Sequence, residues 1–509
     1  MLRRLEDIPA HWARERPDAH VLHEGALSWT WRELDAARLA LAADLDRRGV
    51  RAGDRVMIIG ENSAAMVALL FAIPALDAWT VNVNARLTPR ELDAIRAHCG
   101  ARRAIYLTGG SAAAREHAER HGTQPFDMHG LGEARISPLD ETAQAEPLEE
   151  DPSSRIAALL YTTGTTGDPK GVMLRHAGIM HIARLASQLR GLVPEDRVYG
   201  LLPFTHVYGM ASVVYGSLCA GTSLDIQARF SAESMADSLM NRGITVCQGV
   251  PAMYAKLLEH LRKRSAPFSA PSLRFLYAGG APLPPALQRA AEALFGLPLS
   301  NGYGLTEASP TVTQTPYDQH RVDGCVGVPI PGVEIRLVDA EGREVAEGTP
   351  GELWARGPTI MKGYYRNPQA TAEVMRPGGW LATGDIARRD AEGALFIEGR
   401  LKELIIRSGF NVFPVEVEAV LNAHPGVSQS AVVGRQVEGN EEVVAFVELK
   451  PGAEATPASL IEFAARSLAP YKRPAEVIVL PALPASPSGK ILKARLRSLL
   501  QPAPSELPR

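Results

Sequence analysis

The stretch Tyr161-Thr162-Thr163-Gly164-Thr165-Thr166-Gly167-Asp168-Pro169-Lys170-Gly171-Val172-Met173 decides how the rest of this chain is read. It follows the apolar run Ile156-Ala157-Ala158-Leu159-Leu160, which has the length of a buried strand. Glycines let the backbone turn its amides toward an anion, threonine hydroxyls add short donors, and Lys170 adds positive charge. That combination is the chemistry of a phosphate cradle. The spacing GxxxxGK[ST] is absent, so the loop is not of the Walker type. A short Gly-Thr run alone reads equally well as a solvated turn.

Outward from this loop, short apolar runs recur, such as Arg55-Val56-Met57-Ile58-Ile59-Gly60, with helical patterns between them, as in Arg32 to Arg48 and Ser231 to Arg242. Strands alternating with helices predict α/β layers around mainly parallel sheets. Glu133 to Ser154 is polar and acidic, with Pro138, Pro147 and Pro152, and reads as a surface connection. From Pro331 the texture changes to short strands and turns: Val333 to Val338, Gly351 to Ala355 and Leu395 to Ile397. A boundary is expected at Arg400-Leu401-Lys402. Beyond it, Val412 to Leu421, Ser430 to Val433, Val443 to Leu449 and Pro457 to Leu468 predict a small α+β unit. The expected plan is therefore a large multi-subdomain α/β region over 1–400, a hinge at 401–402, a compact domain over 403–500 and a loose tail over 501–509.

The 509 residues carry 57 Asp and Glu against 54 Lys and Arg, a formal charge of −3, which gives no electrostatic reason to expect nucleic acid or an anionic membrane. Cys99, Cys219, Cys247 and Cys325 are scattered without zinc-site spacing and fit a reducing compartment. Met1-Leu2-Arg3-Arg4-Leu5-Glu6-Asp7 has no apolar run behind its arginines, so a cytoplasmic protein is expected. Val198 to Leu224 lacks Asp, Glu, Lys and Arg and is long enough to span a bilayer. Pro203, Thr205, His206 and several glycines interrupt it, which predicts a buried strand, loop and helix instead.

The glycine–threonine segment resembles the phosphate loop of the acyl-adenylate-forming superfamily, which includes acyl-CoA synthetases, firefly luciferase and peptide-synthetase adenylation domains. Further stations follow in the family's order. Asn301-Gly302-Tyr303-Gly304-Leu305-Thr306-Glu307 resembles its adenine and metal motif, although alone it reads as a glycine-broken loop with a surface Glu. Tyr303 can stack on a purine, and Thr306 and Glu307 can hold phosphate and Mg²⁺. Thr383-Gly384-Asp385 resembles the motif whose carboxylate receives ribose hydroxyls, and Glu398-Gly399-Arg400-Leu401-Lys402-Glu403 the hinge motif with Lys402 at the pivot. Ser486-Pro487-Ser488-Gly489-Lys490 resembles the C-terminal lysine motif. The resemblance implies an ATP site of Thr162, Gly164, Thr165, Gly167, Lys170, Gly280, Ala281, Asn301, Gly302, Tyr303, Gly304, Thr306, Asp385, Ile397, Arg400 and Lys402. Thr163 and Glu307 are the implied Mg²⁺ contacts, and the domain over 403–500 is implied to be mobile.

For the acceptor, Arg407-Ser408-Gly409-Phe410-Asn411-Val412-Phe413-Pro414 resembles a segment of bacterial fatty-acyl and malonyl-CoA ligases. In those enzymes the turn at Ser408, Gly409 and Phe410 lines the pantetheine tunnel. Arg86, Lys472 and Arg473 match regions that meet coenzyme A phosphates, though surface cations are ordinarily just solvated. The acid pocket is expected at His206, Val207, Tyr208 and Gly209, beside Val250, Gly279 and Gly280. His206 resembles the family's gate between ATP and acid. No acidic residue stands where amino-acid-activating members bind an α-amino group, so amino acids are disfavoured. An apolar, glycine-rich lining suits an alkyl or aryl tail at ~0.8 kcal/mol per CH₂ transferred. The match from Gly302 to Pro310, and at Pro316-Tyr317-Asp318, favours a medium- or long-chain fatty acid. Aryl acids fit the same chemistry, and malonate would need a buried cation not evident in the sequence.

The implied reaction is attack of a carboxylate on the α-phosphate of ATP, with Lys490, Thr163, Thr166 and Glu307 completing the site, then transfer of the acyl group to coenzyme A. Delivery to a carrier-protein thiol, luciferase-like oxidation of the adenylate and a non-catalytic ATP-binding role remain as rivals. No GxSxG elbow supports a hydrolase. Small-molecule acid, ATP and coenzyme A are the expected partners, and a homodimer is compatible with them.

Overall fold

The structure, a computed structural model, describes residues 2–162, 170–263, 267–408, 410–437, 440–485 and 491–500. Local sequence sets its helix ends. The Thr30 hydroxyl accepts from the Glu33 N–H while the Glu33 carboxylate accepts from the Thr30 N–H, which starts the helix Trp31–Arg47. Leu34, Leu41 and Leu45 recur on its buried face. Thr88 and Glu91 repeat the device for Pro89–Cys99, which Gly100 closes at φ 57°.

Two large sheets form the body of the chain. In the nine-stranded one, Leu299–Gly304, Phe275–Ala278, Val246–Gly249, Arg197–Gly200, Ser223–Ile226 and His20–Glu24 run parallel in that spatial order, flanked by antiparallel edge strands. In the eight-stranded one, Ile156–Thr162, Trp79–Asn84, Arg55–Gly60 and Arg103–Leu107 are parallel neighbours. Helices cover the faces, so the strand Arg55–Gly60 is buried throughout. Even Arg55 is enclosed, its guanidinium donating to the carbonyls of Gly53, Cys99 and Gly100. A third, five-stranded sheet is antiparallel and contains Gly351–Arg356, Trp380–Arg389 and Leu395–Arg400. The mainly parallel α/β plan expected from the sequence is the one the chain adopts.

From Ile405 on, the chain builds its own core. The antiparallel strands Val427–Val437 and Asn440–Leu449, with Glu476–Leu480 parallel to the second, form one sheet. Alternation sorts its two faces. Val432, Val443, Ala445 and Val447 pack under the helices Pro414–Asn422 and Pro457–Ala465, while Ala431, Val433, Val444 and Phe446 meet Leu496 of Lys493–Ser498.

Three expectations need adjustment. Glu133 to Ser154 is not wholly a connection, because Glu133–Ile136 is a strand between Arg103–Leu107 and Gln124–Asp127. Its Ala134 and Ile136 face inward while Glu133 points out, so period-2 patterning over four residues outweighed the acidic composition. Val198 to Leu224 does fold as strand, loop and helix, but Tyr208–Tyr215 takes π-helical form. No described helix is long and apolar enough to cross a membrane. The strand begun at Leu395 runs on to Arg400, ending where the boundary was expected.

Candidate active site

The nine-stranded sheet gathers the predicted residues at one end. Arg197–Gly200, Val246–Gly249, Phe275–Ala278 and Leu299–Gly304 are parallel neighbours, and their carboxyl ends deliver the His206 segment, Val250, Gly279 with Gly280, and Gly302 with Tyr303. Crevices outside the carboxyl ends of parallel strands are where open α/β sheets bind ligands. The phosphate-loop segment joins Ile156–Thr162 to the antiparallel strand Lys170–Arg175, with Thr162 opposite Lys170.

On the nucleotide side the side chains are tied to one another. Asp385 and Arg400 face each other across antiparallel strands, with Arg400 Nε 2.9 Å from Asp385 Oδ1. The Tyr303 hydroxyl donates to Asp385 Oδ2, although 82 residues separate the two. Asp385 is buried, and its charge raises the Arg400 guanidinium above its ordinary value. A carboxylate offers about four lone-pair sites, so Asp385 keeps capacity for ligand hydroxyls. Asn301 turns inward: its side chain donates to the Cys325 carbonyl at 3.0 Å and accepts from the Gly302 N–H at 2.8 Å, which makes it a brace for the loop. Gly302 is required by contact, since a Cβ there would lie 2.0 Å from the Tyr277 hydroxyl oxygen. Gly304 is exposed, Thr306 is buried, and Ala281 and Ile397 are half-buried.

Glu307 receives a hydrogen bond from the Tyr364 hydroxyl at 2.8 Å, and Lys170 Nζ lies 4.9 Å from the centre of the same ring. Burial and the Glu307 carboxylate push the Tyr364 phenol up, so it remains a donor. The Glu307 carboxylate is the hard oxygen ligand that Mg²⁺ takes, and one such group suffices where phosphates supply the rest.

On the acid side, His206 is exposed, and its Nδ1 accepts from the Tyr208 N–H at 3.2 Å. Val207, Tyr208 and Gly209 behind it are buried. Gly209 packs directly on the Pro203 carbonyl, where a Cβ would come within 2.1 Å. The rings of Tyr208 and Tyr277 meet edge to face at 6.1 Å, and both lie against Gly279. Gly280, at φ +79°, faces Val250. His206, Val207, Tyr208, Gly209, Val250, Gly279 and Gly280 are thus brought to one end of the sheet.

The remaining predicted residues are less concentrated. Lys402 is exposed in the 3₁₀ turn Leu401–Glu403. Arg86 is exposed and held by Asn84. Lys472 pairs with Glu416, and Arg473 donates to the Leu468 carbonyl at 2.9 Å, so both cations already have partners. Ser408, at φ 52°, accepts from Asn440, and Phe410 stacks on Tyr471 with centroids 4.5 Å apart. Thr163, Gly164, Thr165, Thr166, Gly167, Gly409 and Lys490 lie outside the described residues. The chain flanking Lys490 is anchored: Ala485 pairs with Ile491, and Lys493 sits between Glu403 and Glu418 at 2.9 and 2.8 Å. Burial alone would lower the Lys493 amine, and Glu418 and Glu403 reverse that shift.

Sequence reasoning missed Tyr364 and Lys493. Each acts on a partner remote in sequence; Tyr364 reaches Glu307 because the short strand Gly363–Tyr364 pairs with Lys170–Arg175, and nothing local marks it. Comparison with known proteins agrees with the geometry. The family described as "AMP-binding enzyme" matches residues 9–365, and "AMP-binding enzyme C-terminal domain" matches 416–490. The feruloyl-CoA synthase of Amycolatopsis sp is 34% identical, covering 97% of this chain and 98% of its own. The long-chain-fatty-acid–CoA ligase of Yersinia pestis is 33% identical, covering 92% and 89%. The o-succinylbenzoate coenzyme A synthetase of Bacillus subtilis, solved with ATP and magnesium ion, superposes with a TM-score of 0.81 at 28% identity over 97% of this chain and 98% of its own. The chain belongs to the AMP-binding enzyme family and is an AMP-forming acyl-CoA synthetase, an ATP-dependent ligase of an acid to coenzyme A.

Proposed function

We propose that the two half-reactions divide between the side-chain clusters at the sheet end. Asp385 and Arg400 orient the ribose, with Tyr303 fixing the carboxylate, and Lys170 with the glycine–threonine loop holds the phosphates. Glu307, steadied by Tyr364, would hold Mg²⁺, whose charge would offset that of the phosphates. Lys490 supports the charge that develops as the acid carboxylate attacks the α-phosphate. Residues 403–500 then turn about 401–402, withdraw Lys490 and bring Ser408, Gly409 and Phe410 to guide the thiol, with Arg86, Lys472 and Arg473 toward the coenzyme A phosphates. The Lys472 pair with Glu416 must open for that contact. The cluster beside Glu307 carries this reading: Tyr303, at the carboxyl end of a parallel strand, meets Asp385 and Arg400 from the antiparallel sheet.

The motif match around Gly302 to Pro310 supports a medium- or long-chain fatty acid as substrate. A specific observation favours the second reading, an aryl acid: the Tyr208 and Tyr277 rings form an aromatic wall beside Gly279. Aromatic faces prefer offset or edge-to-face contact with another ring. A cytoplasmic setting accords with four thiols and no disulfide among the described residues. Pyrophosphate release from Mg·ATP across straight-chain and aryl acids, with and without coenzyme A, tests the scheme. Coenzyme-A-dependent turnover with one acid class upholds it. A single stoichiometric burst despite coenzyme A would leave adenylation standing and overturn the acceptor.

A further inference from the structure

The turn Glu61-Asn62-Ser63 joins the strand Arg55–Gly60 of the eight-stranded sheet to the helix Ala64–Ala72, yet its side chains fasten it to the nine-stranded sheet. The Ala64 N–H donates to the carboxylate of Glu24 at 2.9 Å, and Glu61 pairs with Arg229 at 2.7 Å. Between these two ties stands Asn62, buried at 4% exposure. Its Nδ2 lies 3.3, 3.2 and 3.0 Å from the carbonyl oxygens of Gly200, Leu201 and Leu202, and 3.2 Å from that of Gln227. Its Oδ1 accepts from the Phe204 N–H at 2.8 Å. An amide has two N–H groups, so the four carbonyls share them, and donor and acceptor ends are both engaged.

What Asn62 grips leads directly to His206. Leu201 to His206 belongs to no strand or helix, so its backbone groups have no ladder to pair in, and a side chain from the other sheet supplies the pairing instead. Asn62 holds the carbonyl on one side of Pro203, at Leu202, and the N–H on the other, at Phe204. The Pro203 carbonyl in turn accepts from the His206 N–H at 3.0 Å and abuts Gly209, where a Cβ would come within 2.1 Å. The sheet on which Asn62 stands also carries Ile156–Thr162 and Lys170–Arg175, the two strands that the phosphate-loop segment joins. One side chain therefore ties the sheet bearing that segment to the stretch bearing His206.

We propose that Asn62 is a positioning residue for acyl-adenylate formation: it sets the place of His206, and with it the acid carboxylate, relative to the phosphate loop, and touches neither substrate. This rests on the reading that His206 stands between ATP and acid. A reacting group misplaced by about 1 Å can lose about a hundredfold in rate. A brace that served folding alone would weaken both half-reactions alike.

The test uses the full-length enzyme and the best acid of the straight-chain and aryl panel. Adenylation is followed by acid-dependent exchange of pyrophosphate into ATP, and thioester formation by supplying that acid's adenylate with coenzyme A. Asn62→Ala is expected to lower kcat for exchange at least tenfold, with KM for ATP changed less than twofold and thioester formation less than threefold. In a His206→Ala background the same substitution should cost under threefold, because its effect runs through His206. Asn62→Asp, which keeps an acceptor for Phe204 and removes the amide donors, should show the same split and carries the test should the alanine variant fail to fold. Ser111→Ala, which uncaps the remote helix Ala112–Arg120, supplies the comparison for lost stability and should retain exchange. Equal losses in the two half-reactions, or an undiminished effect in the His206→Ala background, overturn the proposal and leave the adenylation scheme standing. Exchange unchanged by His206→Ala overturns the gate reading and the proposal with it, and absence of exchange with every acid overturns the scheme itself.

Discussion

The two sides of the site are built on opposite terms. On the nucleotide side each polar group is engaged by another: Asp385 by Tyr303 and Arg400, Glu307 by Tyr364, Asn301 by Gly302 and Cys325. On the acid side Gln248, Tyr208, Ser212 and Arg190 present atoms with no partner among the described residues. The difference teaches where selectivity can vary. In the proposed scheme ATP meets a preorganised set of donors and acceptors that costs little to maintain between turnovers. In the same scheme the acid meets a region whose polar groups lack partners among the described residues, so a change of acid would change how well the core itself is satisfied.

The largest break should come on the nucleotide side. Asp385→Ala removes the acceptor for Tyr303 and the anion for Arg400, and is expected to lower kcat/KM for ATP about a hundredfold, from the ~1.5–3 kcal/mol of a charged hydrogen bond. Next, Lys493→Met leaves Glu403 and Glu418 facing each other at the base of the C-terminal unit. A loss of about 2 kcal/mol in urea unfolding is expected, scaled down from the ~3–5 kcal/mol of a fully buried pair because the three side chains are 14–21% exposed. The adenylation half-reaction should suffer more than thioester formation from adenylate supplied directly. Equal losses in both would mean that the lysine serves folding alone.

A smaller effect probes how Glu307 is held. Tyr364→Phe keeps the ring over Lys170 and deletes the hydroxyl, so half-saturation by Mg²⁺ should rise about tenfold, the lower end of outer-shell effects on metal sites. An unchanged Mg²⁺ dependence would place the metal elsewhere. The smallest effect belongs to the far end of the helix that precedes Arg190. His176 opens the helix that ends at Arg190, and burial lowers its pKa to about 3. The unfolded chain takes up a proton near pH 6.5 and the folded chain does not, so stability falls as pH drops below that value. From pH 7 to 5.5 the expected loss is about 1 kcal/mol, measured by urea titration; His176→Gln should remove that part of the slope.

Much of this architecture could be read along the chain. Thr30 with Glu33, and Thr88 with Glu91, mark helix starts within four residues. The loop glycines fall where strands end, and Gly302 is fixed by a contact no side chain could share. What stayed hidden are pairings across the fold. Tyr364 lies 57 residues from Glu307, and nothing local distinguishes it from the neighbouring Tyr365, which bonds Glu146 instead. Arg190 reads as an ordinary charged residue after a helix, because burial is a property of the assembled layers. The strand Glu133–Ile136 was masked by an acidic context that describes its outward face alone.

The close approach of Gly302 to the Tyr277 hydroxyl has a further consequence. One phenol touches the Asn301–Glu307 loop at its oxygen and Arg190 at its ring face, so an acid that displaced the ring would press on the backbone of that loop. Acid and nucleotide on either side of that contact would then be thermodynamically linked, and linkage is reciprocal. Engineering the acid preference through Tyr277 would therefore detune the affinity for ATP, whereas changes at Gln248, one strand away, offer a route that leaves the nucleotide loop undisturbed.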